Sequence, residues 1–188
     1  MLGGLILAGG DGSRFGPESK LIQELGGRPL LEYAIDAMCA VPAVVRVVVV
    51  LGAYADVVRS RVRFGCAEVV VCEGWERGMS ETLRRGLEAL DGADRVVVTL
   101  GDSPTVSPAV IERLIASPPG SRAVYDGRPG HPVMLGPSHV EAMRSVGGDQ
   151  GARSLLDGPK VECSDLCSGV DVDTTEDLAL LRAVWRQS

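Results

Sequence analysis

An alternation of two sequence patterns constrains this chain most. Short β-branched runs recur along it, and most are followed by a longer segment with helical spacing. Val44 to Leu51 is the clearest run, with valine at almost every position. A continuous apolar run of that length suits a parallel strand covered on both faces. Leu5-Ile6-Leu7 predicts a buried first strand, and Val69-Val70-Val71 and Val96 to Leu100 predict two more. Ala123 to Tyr125, Val133 to Leu135 and Val170 to Val172 predict shorter ones. The intervening segments predict helices. Pro29 stands at a first helical position, and Leu30, Leu31, Ala34, Ile35 and Met38 then share one face. Further helices are predicted over Ala53 to Val62, over Ser80 to Leu90 with Ser80 as its cap, from Ser107-Pro108, and from Thr174. Strands alternating with helices predict βαβ units in a single three-layer α/β/α Rossmann-like domain over 1–188, with a mostly parallel sheet. In such sheets ligands bind beyond the carboxyl ends of the strands, so chemistry is expected there.

Composition narrows the function. The net charge is −6 and no Lys/Arg block is visible, which argues against a nucleic-acid partner. No apolar run is long enough to span a membrane, and Leu2 to Ala8 lacks the basic flank of a secretory signal. A cytoplasmic location is therefore expected, with the five scattered cysteines reduced. Cys163 and Cys167 have no second Cys or His pair beside them, so zinc is not expected.

The loop after the first predicted strand reads Leu7-Ala8-Gly9-Gly10-Asp11-Gly12-Ser13-Arg14-Phe15-Gly16, with Lys20 soon after. Glycines let the backbone approach a ligand and present consecutive N–H groups to phosphate oxygens. Arg14 and Lys20 add positive charge to the same loop. Neither familiar phosphate loop fits. A dinucleotide fingerprint would need glycine where Phe15 stands and an acid after the second strand, where the chain reads Leu51-Gly52-Ala53. A P-loop would need Gly-Lys-Ser/Thr, whereas Gly16 is followed by Pro17.

Leu100-Gly101-Asp102-Ser103-Pro104 places Asp102 at the carboxyl end of a central strand, able to hold Mg²⁺ against phosphate oxygens. Asp171 and Asp173 point the same way if the segment is extended. The alternative for Asp173 is a helix N-cap.

Taken in order, these motifs resemble the molybdenum cofactor nucleotidyltransferases, the MobA/MocA-like group, over nearly the whole chain. The resemblance rests on Leu7-Ala8-Gly9-Gly10 with Arg14, Gly16 and Lys20; on Trp75 with Gly78-Met79-Ser80 and Leu83; on Gly101-Asp102-x-Pro104; and on Asp171-x-Asp173-Thr174 with Glu176-Asp177-Leu178. Gly130-His131-Pro132-Val133 and Gly148-Asp149-x-Gly151-Ala152-Arg153 are similar to acceptor-side motifs of the cytidylyltransferase branch. Leu-Ala-Gly-Gly is more like the guanylyltransferase branch, with Gly9, Gly12, Phe15 and Glu73 departing from the cytidylyltransferase pattern. The resemblance implies a mixed sheet and transfer of CMP or GMP from CTP or GTP to molybdopterin, with Mg²⁺ as cofactor and pyrophosphate as leaving group. A molybdoenzyme or its chaperone would receive the product. By position, Leu7, Ala8, Gly9, Gly10, Gly12, Ser13, Gly78 and Ser80 would line the nucleotide site, and Arg14 and Lys20 would hold the triphosphate. Asp102 would be a metal ligand, with Asp173 the second and Asp171 the reserve. His131, Asp149 and Arg153 would face the acceptor, although a structural His, an N-cap Asp and a surface Arg are the plain alternatives. Trp75 and Met79 read as packing residues. The other acceptors such a fold could serve are a sugar phosphate or phospholactate, and the other class is a silent NTP-binding or cofactor-delivery protein.

Overall fold

The structure is a computed structural model that describes residues 1–145 and 156–185. Its main sheet is built from β1 (Leu2–Ala8), β4 (Arg46–Leu51), β5 (Glu68–Val71), β6 (Arg95–Leu100), β7 (Arg122–Tyr125), β8 (Arg128–Leu135) and β9 (Lys160–Glu162), in the order β5-β4-β1-β6-β8-β7-β9. The pairs β5·β4, β4·β1, β1·β6 and β7·β9 are parallel, and β8 runs antiparallel to both neighbours. The sheet is therefore mostly parallel and mixed, as the resemblance implied. A two-strand ribbon, β2 (Glu24–Leu25) and β3 (Arg28–Pro29), stands apart.

The valine runs go inside because helices cover both faces. Ile6, Val47, Val49 and Val97 pack toward α1 (Leu30–Cys39) and α4 (Pro108–Ile115), and α2 (Ala55–Arg61) adds Val58 to this layer. Leu5, Leu7, Val48, Val50, Val96 and Val98 pack toward α3 (Met79–Ala89) and α5 (Pro137–Ser145). Successive strand residues thus serve opposite layers. A third cluster joins Phe15, Leu25, Leu30 and Val172 to Leu178 and Leu181 of α6 (Thr175–Val184). No helix among the described residues is long and apolar enough to cross a membrane.

Three expectations need correction. Val170 to Val172 is not a strand. The segment passes the end of β6, where the Val172 N–H donates to the Asp102 carbonyl at 2.9 Å, and Val172 is buried under α6 instead. The helix after Trp75 starts at Met79 with Gly78 as its N-cap, because Gly78 takes φ 100°, a backbone that suits only glycine; Ser80 sits in the first turn and makes no cap bond. The cysteines are not all free. Cys39 and Cys66 form a disulfide with Cα atoms 6.1 Å apart, joining the end of α1 to the loop before β5. Their separation of 27 residues gives no pairing signal, since helix and loop meet only in the fold. Cys72, Cys163 and Cys167 are free.

One buried charge ties α1 down. Glu32 is 3% exposed, and its carboxylate accepts from the Arg63 backbone N–H at 3.0 Å and from the Arg63 guanidinium at 2.8 Å. Burial pushes the carboxyl up, but the Arg63 hydrogen bonds and charge, with Arg28 behind them, outweigh it and leave the group below its ordinary value of 4.5. A carboxyl depressed by folding stabilises fully above its unfolded value and loses that stabilisation as pH falls through the folded one. Glu32→Ala is expected to cost about 1–3 kcal/mol at neutral pH. Thermal melts should show the gap to wild type narrowing below pH 4.5.

Candidate active site

Strands β1 and β6 lie side by side in register, Leu7 opposite Leu100, so their carboxyl ends open at one edge. The Gly101 N–H donates to the Leu7 carbonyl at 2.9 Å and extends that pairing. The glycine loop leaves β1 and Asp102 leaves β6 into one cavity of about 1300 Å³. Leu7, Ala8, Gly9, Gly10, Gly12 and Ser13 line it. Gly78 and Ser80 come in from α3, and Arg14, Lys20, Asp102, Asp171 and Asp173 from the opposite rim. His131 also lines it, from β8. Asp149 and Arg153 lie outside the described residues.

The loop has an internal order. Gly9 touches α3: a Cβ there would stand 2.9 Å from Thr82 Oγ1 and 3.0 Å from its Cγ2. Gly12, with φ 60°, faces the Lys20 stem, which a Cβ would meet at 3.6 Å. The Ser13 N–H donates to Asp11 Oδ1 at 3.1 Å and the Phe15 N–H to the Gly12 carbonyl at 2.7 Å, which closes a turn. Phe15, buried in the third cluster, pins the far end of the loop beneath α6. The loop therefore runs from an uncharged end at Thr82 to a cationic end at Lys20.

The charged rim is a chain of four groups. Lys20 Nζ contacts Asp102 Oδ2 and lies 3.0 Å from Asp173 Oδ1, while Arg14 Nη2 lies 3.0 Å from Asp173 Oδ2. Burial works against the Lys20 ammonium, yet the carboxylates of Asp102 and Asp173 overcome it and raise its pKa above 10.5, so Lys20 is charged. Arg14 is 73% exposed and free to swing onto an anion. Asp102 Oδ1 is buried without a hydrogen-bond partner among the described residues. Asp171 accepts from Ser103 Oγ. Burial first, and then the charges of Asp102 and Asp173, push Asp171 up to about 6 against the Ser103 bond and Lys20.

Asp173 is not the cap of α6. Thr174 is: its side chain accepts from the Asp177 N–H at 3.1 Å, and Asp177 Oδ2 accepts in return from the Thr174 N–H at 2.8 Å. This capping box frees the Asp173 carboxylate to face Lys20 and Arg14. Thr174→Ala is expected to lower stability by about 1 kcal/mol. Denaturant titration checks that value.

Several cavity residues escaped sequence reasoning. Thr82 carried no motif signal beyond its place on α3. Arg122 opens β7 and lines the cavity, and no motif in the sequence around it marks it. Met79 is 50% exposed at the cavity, so the packing expectation fails for it: α3 begins there and turns the side chain out of the core. Trp75 packs on the α3 side of the core as expected, and also lines the cavity.

Residues 4–164 match the MobA-like NTP transferase domain. The chain belongs to that family. Among its relatives is a protein named nicotine blue oxidoreductase from Paenarthrobacter nicotinovorans, 35% identical over 191 aligned positions that cover 93% of each chain. Rv0371c of Mycobacterium tuberculosis H37Rv, solved in complex with manganese, superposes with a TM-score of 0.79 at 26% identity, covering 98% of this chain and 99% of that one. A nucleotidyl transferase from Methanothermobacter shares the fold with a TM-score of 0.81 at 23% identity, over 97% and 96% of the two chains. This MobA-like chain therefore has the α/β fold of nucleotidyltransferases.

Proposed function

We propose that this MobA-like protein transfers CMP or GMP from CTP or GTP to the phosphate of molybdopterin and releases pyrophosphate. The observation that carries the reading is the convergence of Lys20, Arg14, Asp102 and Asp173 beside a glycine loop at the sheet's carboxyl edge. The acceptor phosphate oxygen attacks the α-phosphorus. A P–O bond forms there, the α–β bridge breaks, and pyrophosphate leaves with the bridging oxygen. The attacking group is already an anion, so the protein's task is to position reactants and offset charge. Lys20 and Arg14 exchange their carboxylate partners for β- and γ-phosphate oxygens and stabilise the leaving group. Gly9 and Gly10 give the nucleotide close approach to the backbone. His131 borders the acceptor.

The rim suits a divalent metal. Asp102 has a buried oxygen without a hydrogen-bond partner among the described residues, and the Lys20 ammonium already holds a positive charge between Asp102 and Asp173. Among the described residues no group of three or more His, Cys, Asp or Glu converges as a metal cage. Mg²⁺ typically takes one or two carboxylates and fills its shell with phosphate and water, so two suffice. Asp102 and Asp173 are the proposed ligands, while Asp171 is engaged by Ser103. When bound, the metal supplies neutralisation of phosphate charge.

Gly9→Ala should press on Thr82 and weaken binding of either NTP, and adding Thr82→Ala should restore it, since that removes Oγ1 at 2.9 Å and Cγ2 at 3.0 Å and leaves the Thr82 Cβ at 3.6 Å, an ordinary contact. Calorimetric titration with CTP and GTP reads both effects.

A second reading is redox conversion of a small organic molecule. It is favoured by the likeness to nicotine blue oxidoreductase and by the apolar wall of Leu83, Val98, Leu100, Val133 and Leu135 in the same cavity. Mass spectrometry of two separate reactions distinguishes them, one containing CTP or GTP with molybdopterin and the other containing nicotine blue with a hydride donor as the two-electron reductant. A product heavier by CMP or GMP supports transfer. Nicotine blue conversion without any nucleotide adduct supports the second reading.

A further inference from the structure

Tyr125 ends β7 and is 6% exposed. Its Oη donates to the His131 carbonyl at 2.7 Å. Its ring occupies the space that side chains on two separate segments would need. A Cβ on Gly130, just before His131, would stand 2.9 Å from ring atoms Cδ2 and Cε2. A Cβ on Gly169 would stand 2.1 Å from Cδ2 and 2.2 Å from Cγ. Gly169 takes φ 62° and lies two residues before Asp171. One ring therefore touches both the segment that carries His131 and the segment that carries Asp171 and Asp173. Both segments reach it through glycine, so the backbones lie directly on the ring. These contacts leave little freedom between the two walls.

We infer that Tyr125 is a positioning residue that fixes the separation between the His131 wall and the acidic arm, and so aligns an acceptor with the nucleotide. This rests on the nucleotidyl-transfer reading. In-line displacement is sensitive to small misplacements of its reactants, and a ring seated against two backbones holds them better than mobile side chains would. Tyr125 is not among the described residues that line the cavity, so it acts through the two segments.

The chain has two histidines, which gives a spectroscopic test free of any acceptor. Histidine-labelled protein is observed by NMR with Mn²⁺ and the α,β-methylene analogues of CTP and GTP. Paramagnetic broadening falls steeply with distance from the metal. His131 lines the cavity with Asp102 and Asp173 and should broaden. His139, which lies on α5 with its Nε2 3.3 Å from Asp157 Oδ1, does not line the cavity and should broaden less. Tyr125→Phe keeps the ring and loses the bond to the His131 carbonyl, so the His131 resonance should shift while its broadening stays. Tyr125→Leu loses the ring, and His131 broadening should be lost to the level of His139, in protein whose amide spectrum remains folded. Wild-type broadening of His131 in folded Tyr125→Leu overturns the positioning role. If Tyr125→Leu does not fold, Tyr125→Phe decides: an unshifted His131 resonance overturns the role. Broadening of neither histidine in wild type, with no Mn²⁺-nucleotide bound, overturns the nucleotide site itself and the inference with it.

Discussion

Asp102→Ala is expected to lower turnover by at least about a hundredfold while the protein stays folded, the scale of removing one charge-stabilising group from an active site. Asp102 sits just beyond β6, where its carboxylate contacts Lys20 and, among the described residues, one oxygen has no hydrogen-bond partner. Its backbone carbonyl, which accepts from Val172, survives the substitution, so the acidic arm stays docked. The variant thus removes a charge without removing a strut. Lys20 would retain Asp173 as a partner at 3.0 Å, and the loop would keep its place. Pyrophosphate release compared with the thermal melt separates the two effects. Turnover near the wild-type rate in a folded variant would remove Asp102 from the reaction.

Gly52→Ala is expected to destabilise by about 3 kcal/mol, the upper part of the range for overpacking. The added Cβ would lie 2.1 Å from the Gly9 carbonyl oxygen and 2.7 Å from the Trp75 Cβ, so backbone must move. The Ala53 N–H also donates to that Gly9 carbonyl at 3.2 Å, so displacing Gly9 breaks a contact that seats the loop. Nucleotide affinity should fall with stability. Gly10→Ala is the control for stability, because among the described residues beyond its chain neighbours nothing lies within 4 Å of its Cβ position. Denaturant titration of both variants should show a large loss for the first and little for the second. Equal losses would mean that the contact between Gly52 and Gly9 does not seat the loop.

What could be read from the sequence follows from range. The valine runs and helical spacings are local, so β1, β4, β5, β6 and the helices between them were legible, and the glycine loop with Asp102 followed from the strand-end rule. Long-range packing was not legible. Nothing in Val170 to Val172 distinguishes a strand from a segment that docks on the Asp102 carbonyl and buries Val172 under α6. The short β9 and the β2·β3 ribbon carry too few apolar residues for a pattern. Leu51-Gly52-Ala53 shows only that no acid follows β4, while the steric role of Gly52 against Gly9 arises from residues brought together by the fold. In the charged rim, residue types and order pointed to Lys20, Asp102 and Asp173 together. The order Thr174-Thr175-Glu176-Asp177 carries half of the capping-box signal, and the reciprocal hydrogen bonds that free Asp173 form only in the fold.

The most direct measurement is pyrophosphate release by the purified protein with Mg²⁺, run with CTP and with GTP, each with and without molybdopterin. The account predicts release that requires molybdopterin and favours one of the two nucleotides. No release with either nucleotide, from folded protein supplied with metal and acceptor, would contradict it.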